Sequence, residues 1–253
     1  MSRSAPIPPK RPPRRSSAKR ARSDDRYPRT AGTLPAPGKS RPPDTLGERV
    51  YRDFKRDLIR GVYSPGESLG EKVLSKRYRS SRTPVREAAL RLQQEGFLRI
   101  IPNRGYLVAP VTVNWLNQIY EYRAAVESAC AELAARRADD DTLLQRLTRL
   151  ARFSFDLNGR AGYERFIEQD TEFHIAIAEL TRNPLLVQTV KDMRSQMERV
   201  MYAAIDIGYF GEAPVREHNE ILKAIRQRDG DRARQAMYNH IIGSLGKALR
   251  LAT

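Results

Sequence analysis

Apolar residues recur at helical spacing through TLGERVYRDFKRDLIRG, where Leu46, Val50, Phe54 and Leu58 with Ile59 share one face. Thr45 with Glu48 three residues on resembles a capping box, and Gly61 suits the stop. The segment VYSPGESLG reads as a turn, and a short helix over 71–78 follows with Val73 and Leu74 inward. Arg79, Ser80 and Ser81 form the next turn, and a third helix spans about 83–95. Pro84 suits its first turn, because the missing N–H costs nothing there. Val85, Ala88, Ala89 and Leu92 mark its apolar face and Gly96 ends it, while Leu90 falls off that stripe. Residues 97–101 and 106–108 flank the turn PNRG and predict a hairpin.

From residue 114 the pattern is helical throughout, with helices expected at 114–137, 140–157, 161–181, 185–206, 213–229 and 231–251. Breaks fall at 139–141, 158–159, 183–184, 208–211 and Gly230, and no strand signal occurs. Six amphipathic helices with short connections predict an antiparallel bundle. The fold class is therefore mainly α: an N-terminal winged helix-turn-helix (45–113) and a C-terminal antiparallel α-helical bundle (114–253). Residues 1–44 carry 10 of the 16 prolines without apolar periodicity, so this basic Pro/Arg-rich tail is expected to be disordered.

Charge divides the 253 residues unequally. The net charge of +16 comprises +9 in 1–44, +7 in 45–113 and zero in 114–253. Such asymmetry points to a polyanionic partner for the N-terminal part, either nucleic acid or an anionic membrane surface. The tail is then a sequence-blind electrostatic arm or a solvated linker. The charged N-terminus lacks the apolar core of a signal peptide, and no apolar run approaches the ~18 residues of a spanning helix. One cysteine, Cys130, permits no intrachain disulfide and sits in an apolar helical stretch as a packing residue. A reduced, cytoplasmic setting is expected.

Arg82, Thr83 and Arg86 open the third helix, although cations oppose the positive dipole end there. The arrangement makes sense when the missing negative charge is DNA. A helix-turn-helix lays the N-terminus of its second helix in the major groove, where arginines meet phosphates and guanine edges. Arg104 lies near the hairpin tip closed by Gly105, and Lys72 starts the preceding helix. TPVREAALRLQQEGFLRIIPNRGYLVAP resembles the winged helix of the GntR family of bacterial transcription regulators, and the similarity extends over about 48–110. That resemblance implies DNA contacts at Lys72, Arg82, Thr83, Arg86, Asn103, Arg104 and Gly105. The turn YRSSR departs from the small apolar motif usual in the family.

All three histidines, His174, His218 and His240, lie in the bundle half. Asp170 precedes His174 by four residues, so both share a helix face. His218 lies 12 residues before Gly230 and His240 lies 10 after it, at nearly equal heights in an antiparallel pair. Three imidazoles and a carboxylate converging in a bundle form a candidate divalent-metal site, against the alternative of three separately satisfied histidines. The segments DTEFHIAIAELTRNPLL and REHNEILKAIRQRDGDRARQAMYNHI are similar to the FCD effector domain of the FadR-like branch of that family. The resemblance implies that Asp170, His174, His218 and His240 hold a divalent metal ion; zinc, nickel and manganese all suit the set.

A metal with open coordination beside a cation suggests a small-molecule carboxylate effector. Arg123, in IYEYRAAVESA, resembles a pocket-facing arginine of the family; its alternative is an i,i+4 surface pair with Glu127. Arg194 is a second effector-binding candidate. The expected protein is a homodimeric transcription regulator on a two-fold DNA operator, controlled by that effector. A metal sensor with the ion as effector is the alternative, and a metal-dependent hydrolase with a DNA-binding appendage a third. No HExxH motif supports the hydrolase, and Glu172 and Glu217 are expected to face away from the ligands.

Overall fold

Thr45 accepts the Glu48 amide at 3.2 Å and starts α1 (Leu46–Ile59), which buries Val50, Phe54, Leu58 and Ile59. The computed structural model describes residues 45–153, 159–206 and 214–249. The tail expected to be disordered, the predicted end of the helix at 157 and the break at 208–211 lie outside the described residues. Next come β1 (Ser68–Leu69), α2 (Glu71–Arg77), α3 (Arg82–Gln94), β2 (Leu98–Ile101) and β3 (Gly105–Val108). The α2–α3 turn closes with Ser80 N on Ser75 O at 3.0 Å and with Arg79 at φ 48°, a conformation more often given to glycine. Tyr78, the departure noted in this turn, points inward, where its hydroxyl meets Tyr63 Oη at 3.0 Å and donates to Asp57 at 3.1 Å. Gly96, at φ 80°, ends α3 and lets Phe97 N reach Leu92 O at 2.8 Å.

The three strands pair antiparallel in the order β1-β3-β2, with Leu98 opposite Val108 and Leu69 opposite Tyr106. The first strand lies in the segment that reads as a turn. Two residues carry no alternation signal, and only pairing with β3 makes them a strand. Val73 is a correction: it is 63% exposed, and Leu74 alone of the pair enters the core. Gly105 sits at φ 96°, and a Cβ there would stand 2.3 Å from Leu69 O. Its place therefore has a structural cause, close approach of β1 to β3. Gly105→Ala is expected to cost about 1–3 kcal/mol in thermal unfolding and to loosen the hairpin. An unchanged melting temperature would show that β1 moves aside freely.

The bundle comprises α4 (Val113–Arg136), α5 (Asp141–Ala151), α6 (Arg160–Leu180), α7 (Pro184–Asp206), α8 (Val215–Arg226) and α9 (Gly230–Leu249). Thr112 caps α4 through the Trp115 amide at 3.2 Å, and Asp140 caps α5 through Leu143 at 2.9 Å. Helix α5 ends at Ala151, with Arg152 as its C-cap. Ala131, Ala134 and Ala135 on α4 are fully buried, and a Cβ at Gly230 would lie 3.2 Å from Glu132, so small residues let α9 pack close to α4. Cys130 is buried in this core, and burial pushes its thiol up to about 12, an inert state. Tyr163, Phe166 and Ile167 from α6 and Tyr202 and Ile205 from α7 pack into the core of the N-terminal domain. Winged domain and bundle thus belong to one compact unit. Gln196 on α7 donates to Glu95 O at 2.5 Å, at the end of α3.

Candidate metal centre and candidate DNA-binding groove

Helix α6 supplies Asp170 and His174, α8 supplies His218 and α9 supplies His240. All four are buried, and one potential ligand atom from each lies within 4.8 Å of the others. The His218 and His240 ring centres are 4.8 Å apart, and those of His174 and His240 5.3 Å. Two carboxylates approach from outside the group. Glu127 meets Nδ1 of His174, and Glu217 Oε2 lies 3.0 Å from Nδ1 of His240. A histidine that gives one nitrogen to a carboxylate presents the other to an ion. Neither ring nitrogen of His174 and not Nε2 of His218 makes a hydrogen bond among the described residues, Glu127 lying against His174 Nδ1 as a close ion-pair contact; Asp170 Oδ1 is 3.4 Å from Nε2 of His218. The His218 ring stacks on Phe173 at 3.9 Å, which fixes its plane.

The protonation states suit a cation. Burial holds His174 down at about 4 and His218 well below the usual imidazole range, so both are neutral at pH 7. Burial alone would raise Asp170, but the Arg194 guanidinium beside it outweighs burial and keeps the carboxylate ionised. Arg194 takes Asp170 Oδ2, leaving Oδ1 on the side of His218. Two buried imidazole nitrogens without partners, one ionised carboxylate and two orienting glutamates fit a divalent ion.

Beside the cluster lies a cavity of about 100 Å³, with Asp170, Glu217, His240, Arg123 and Arg194 in its wall. Arg123 pairs with Glu127 at 2.7 Å, as the i,i+4 alternative required, but both side chains are only 2% exposed and neither is a surface group. Arg194, also buried, spends Nη2 on Asp170 and on Thr171 at 3.3 Å. Glu217 is a correction to the sequence reading, because it turns toward His240 instead of away; Glu172 does face out, to Arg146. Sequence reasoning missed Glu127 as a partner of His174, and missed Tyr120, Ser244 and Lys247 in the cavity wall. Ser244 and Lys247 follow His240 by four and seven residues on α9, a face that could have been read.

At the other end of the chain, Lys72, Arg82, Arg86, Asn103, Arg104 and Gly105 line a groove of about 710 Å³ between α3 and the hairpin. Thr83 is exposed on the first turn of α3 beside it. No acidic residue lies in that turn and Ser81 makes no side-chain cap, so the helix start is open to an anion. Arg86 is not free: Nε and Nη2 reach Glu71 at 2.8 and 2.9 Å, and Tyr106 Oη donates to Glu71 at 3.2 Å. This side-on grip leaves the end-on fork of the guanidinium open to a base. Exposed Leu90 and Ile100 also line the groove, which accounts for the apolar residue off the α3 stripe.

Residues 46–108 match the bacterial regulatory proteins of the gntR family, and residues 118–243 match the FCD domain. The HTH-type transcriptional repressor RspR of Escherichia coli is 30% identical over 200 residues, covering 79% of this chain and 87% of that protein. The Nta operon transcriptional regulator of Aminobacter aminovorans is 35% identical over 56% of this chain and 65% of its own length. Among solved structures, E. coli McbR/YncC superposes with a TM-score of 0.66 at 20% identity, over 83% of this chain and 99% of that one. The relatives are regulators, not enzymes, and no described helix is long and apolar enough to cross a membrane. With a winged helix-turn-helix joined to a helical FCD domain, the chain belongs to the GntR family of bacterial transcription regulators.

Proposed function

We propose that this regulator binds a two-fold operator as a homodimer, and that a small carboxylate bound at a divalent metal in the bundle controls that binding. The observation that carries the reading is the buried Asp170, His174, His218 and His240 group, opening on a small cavity beside Arg123 and Arg194. A bound ion would supply a Lewis-acidic anchor for a carboxylate oxygen. Arg123 gives Nε to Glu127 and lines the cavity wall, where its other N–H groups could donate to a carboxylate, while Arg194 positions Asp170. Lys247 stands at the exposed end of the cavity wall. One relative, 27% identical, is named for the galactonate operon, and galactonate is a carboxylate. Exposed Tyr122 on α4 and Tyr238 and Ile242 on α9 offer apolar area for the dimer.

Helix α7 supports a route from cavity to DNA. Arg194, Met197 and Val200 line the cavity, and Gln196 and Arg199 on the same helix bond backbone carbonyls of the winged domain, at Glu95 and Ala109. A ligand that shifts α7 therefore shifts the support of α3. The alternative is a metal sensor, in which adding or removing the ion alone switches DNA binding. Chelation followed by metal add-back, with operator affinity measured at each step, separates the two.

The basic tail is assigned a non-specific role. Deleting residues 1–44, net +9, is expected to weaken binding to every DNA and to flatten its salt dependence. Each lost phosphate contact removes about 0.9 from the slope of log K against log salt. An unchanged slope would make the tail a passive linker.

A further inference from the structure

We propose that the joint between winged domain and bundle contains a second ligand site, for a small oxyanion, centred on Arg199. This residue on α7 is 5% exposed. Its one hydrogen bond among the described residues goes from Nη2 to the uncharged Ala109 O, and no carboxylate pairs with it. A buried guanidinium without a counter-charge is costly, and burial draws its pKa down to about 10. Elsewhere in the described bundle the buried arginines are paired, Arg123 with Glu127 and Arg194 with Asp170.

Arg199 lines a cavity of about 440 Å³ that includes Arg99, Thr112, Asn114, Trp115 and Gln118, and no Asp or Glu. This cavity is separate from the one beside the histidines, with which it shares no residue. A second observation points the same way. The cavity includes the first turn of α4, a helix of 24 residues with no acidic residue in that turn. Thr112 satisfies the Trp115 amide, which leaves the amides of Val113 and Asn114 without an intrahelical acceptor. The positive end of the helix dipole thus meets a buried cation with four uncommitted N–H donors. An oxyanion there satisfies both, as anions do at helix N-termini. Asn114 and Gln118 add side-chain amides, and Arg99 brings a second cation from β2. The occupant would link α7, the start of α4 and the end of the hairpin, the three parts of the joint.

The test uses the full-length protein, with inorganic phosphate as probe and sodium chloride at matched ionic strength as control. Phosphate is expected to raise the melting temperature saturably in the wild type. In Arg199→Gln the apparent Kd should be at least about tenfold weaker. Asn114→Asp, which places a carboxylate at the start of α4, should weaken phosphate binding in the same way without removing Arg199. His218→Ala should leave the phosphate response intact, which distinguishes this site from the histidine cluster. A response that is non-saturable, or equal in wild type and both joint variants, would overturn the proposal. So would a response lost only in His218→Ala, since phosphate would then be binding at the histidine cluster. Arg199 would in those cases act only as a cap on Ala109.

Discussion

His218→Ala is expected to lose metal affinity by at least about 100-fold, and with it the response to effector, while operator affinity stays within a few-fold of wild type. The imidazole offers one of four buried potential ligand atoms, and three remaining candidates with an added cavity would make a weaker, wetter site. Its ring also stacks on Phe173, so the loss of packing must be separated from the loss of metal. Chelation does this. Chelator should lower the melting temperature of the wild type, because binding free energy is folding free energy, and should leave that of the variant unchanged. The candidate DNA-binding residues lie before Pro110 and the candidate metal ligands after Glu168, so loss of one activity need not remove the other. A His218→Ala protein with a full metal complement would make this residue an ordinary core histidine. One that loses metal and still answers its effector would make the ion structural.

Arg86→Ala is expected to weaken specific operator binding by about 1–3 kcal/mol, the worth of a bidentate base contact. The structure adds a complication. Removing Arg86 leaves the Glu71 carboxylate hydrogen-bonded only by Tyr106, an uncovered negative charge in the candidate DNA groove. Part of the loss on any DNA would then be repulsion. Pairing the change with Glu71→Gln removes that contribution. If Arg86 reads a base, the double variant still discriminates poorly between operator and random DNA. Recovery of discrimination in the double variant would show that Arg86 serves only to mask Glu71.

The sequence carried most of the fold because its signals were local. Thr45, Pro84 and Gly96 are placed where caps and stops require them, and the helical stripes run unbroken. What escaped was decided by tertiary partners. The strand at Ser68–Leu69 exists through its pairing with β3, and Val73 is apolar yet exposed because α2 buries a single narrow face. The candidate centre was legible as Asp170 and three histidines, since i,i+4 spacing and equal heights about Gly230 are simple geometry. Glu127 and Glu217 were not. Each lies on a helix whose rotation about its own axis sets whether a carboxylate meets solvent or a histidine, and packing fixes that rotation. Glu71 escaped likewise, because its contact with Arg86 depends on how α2 crosses α3.

Metal and carboxylate are proposed to act together in the bundle to set the affinity of the winged domain for DNA. The most direct measurement is operator Kd by fluorescence anisotropy against a panel of small carboxylates, on metal-loaded and on chelator-stripped protein side by side. At least one carboxylate should shift the Kd of the loaded protein, by at least about fivefold for coupling of ordinary size. The stripped protein should show no such shift, and metal add-back should restore it. An equal shift in stripped protein, or a switch driven by the metal with no carboxylate effect at all, would contradict it.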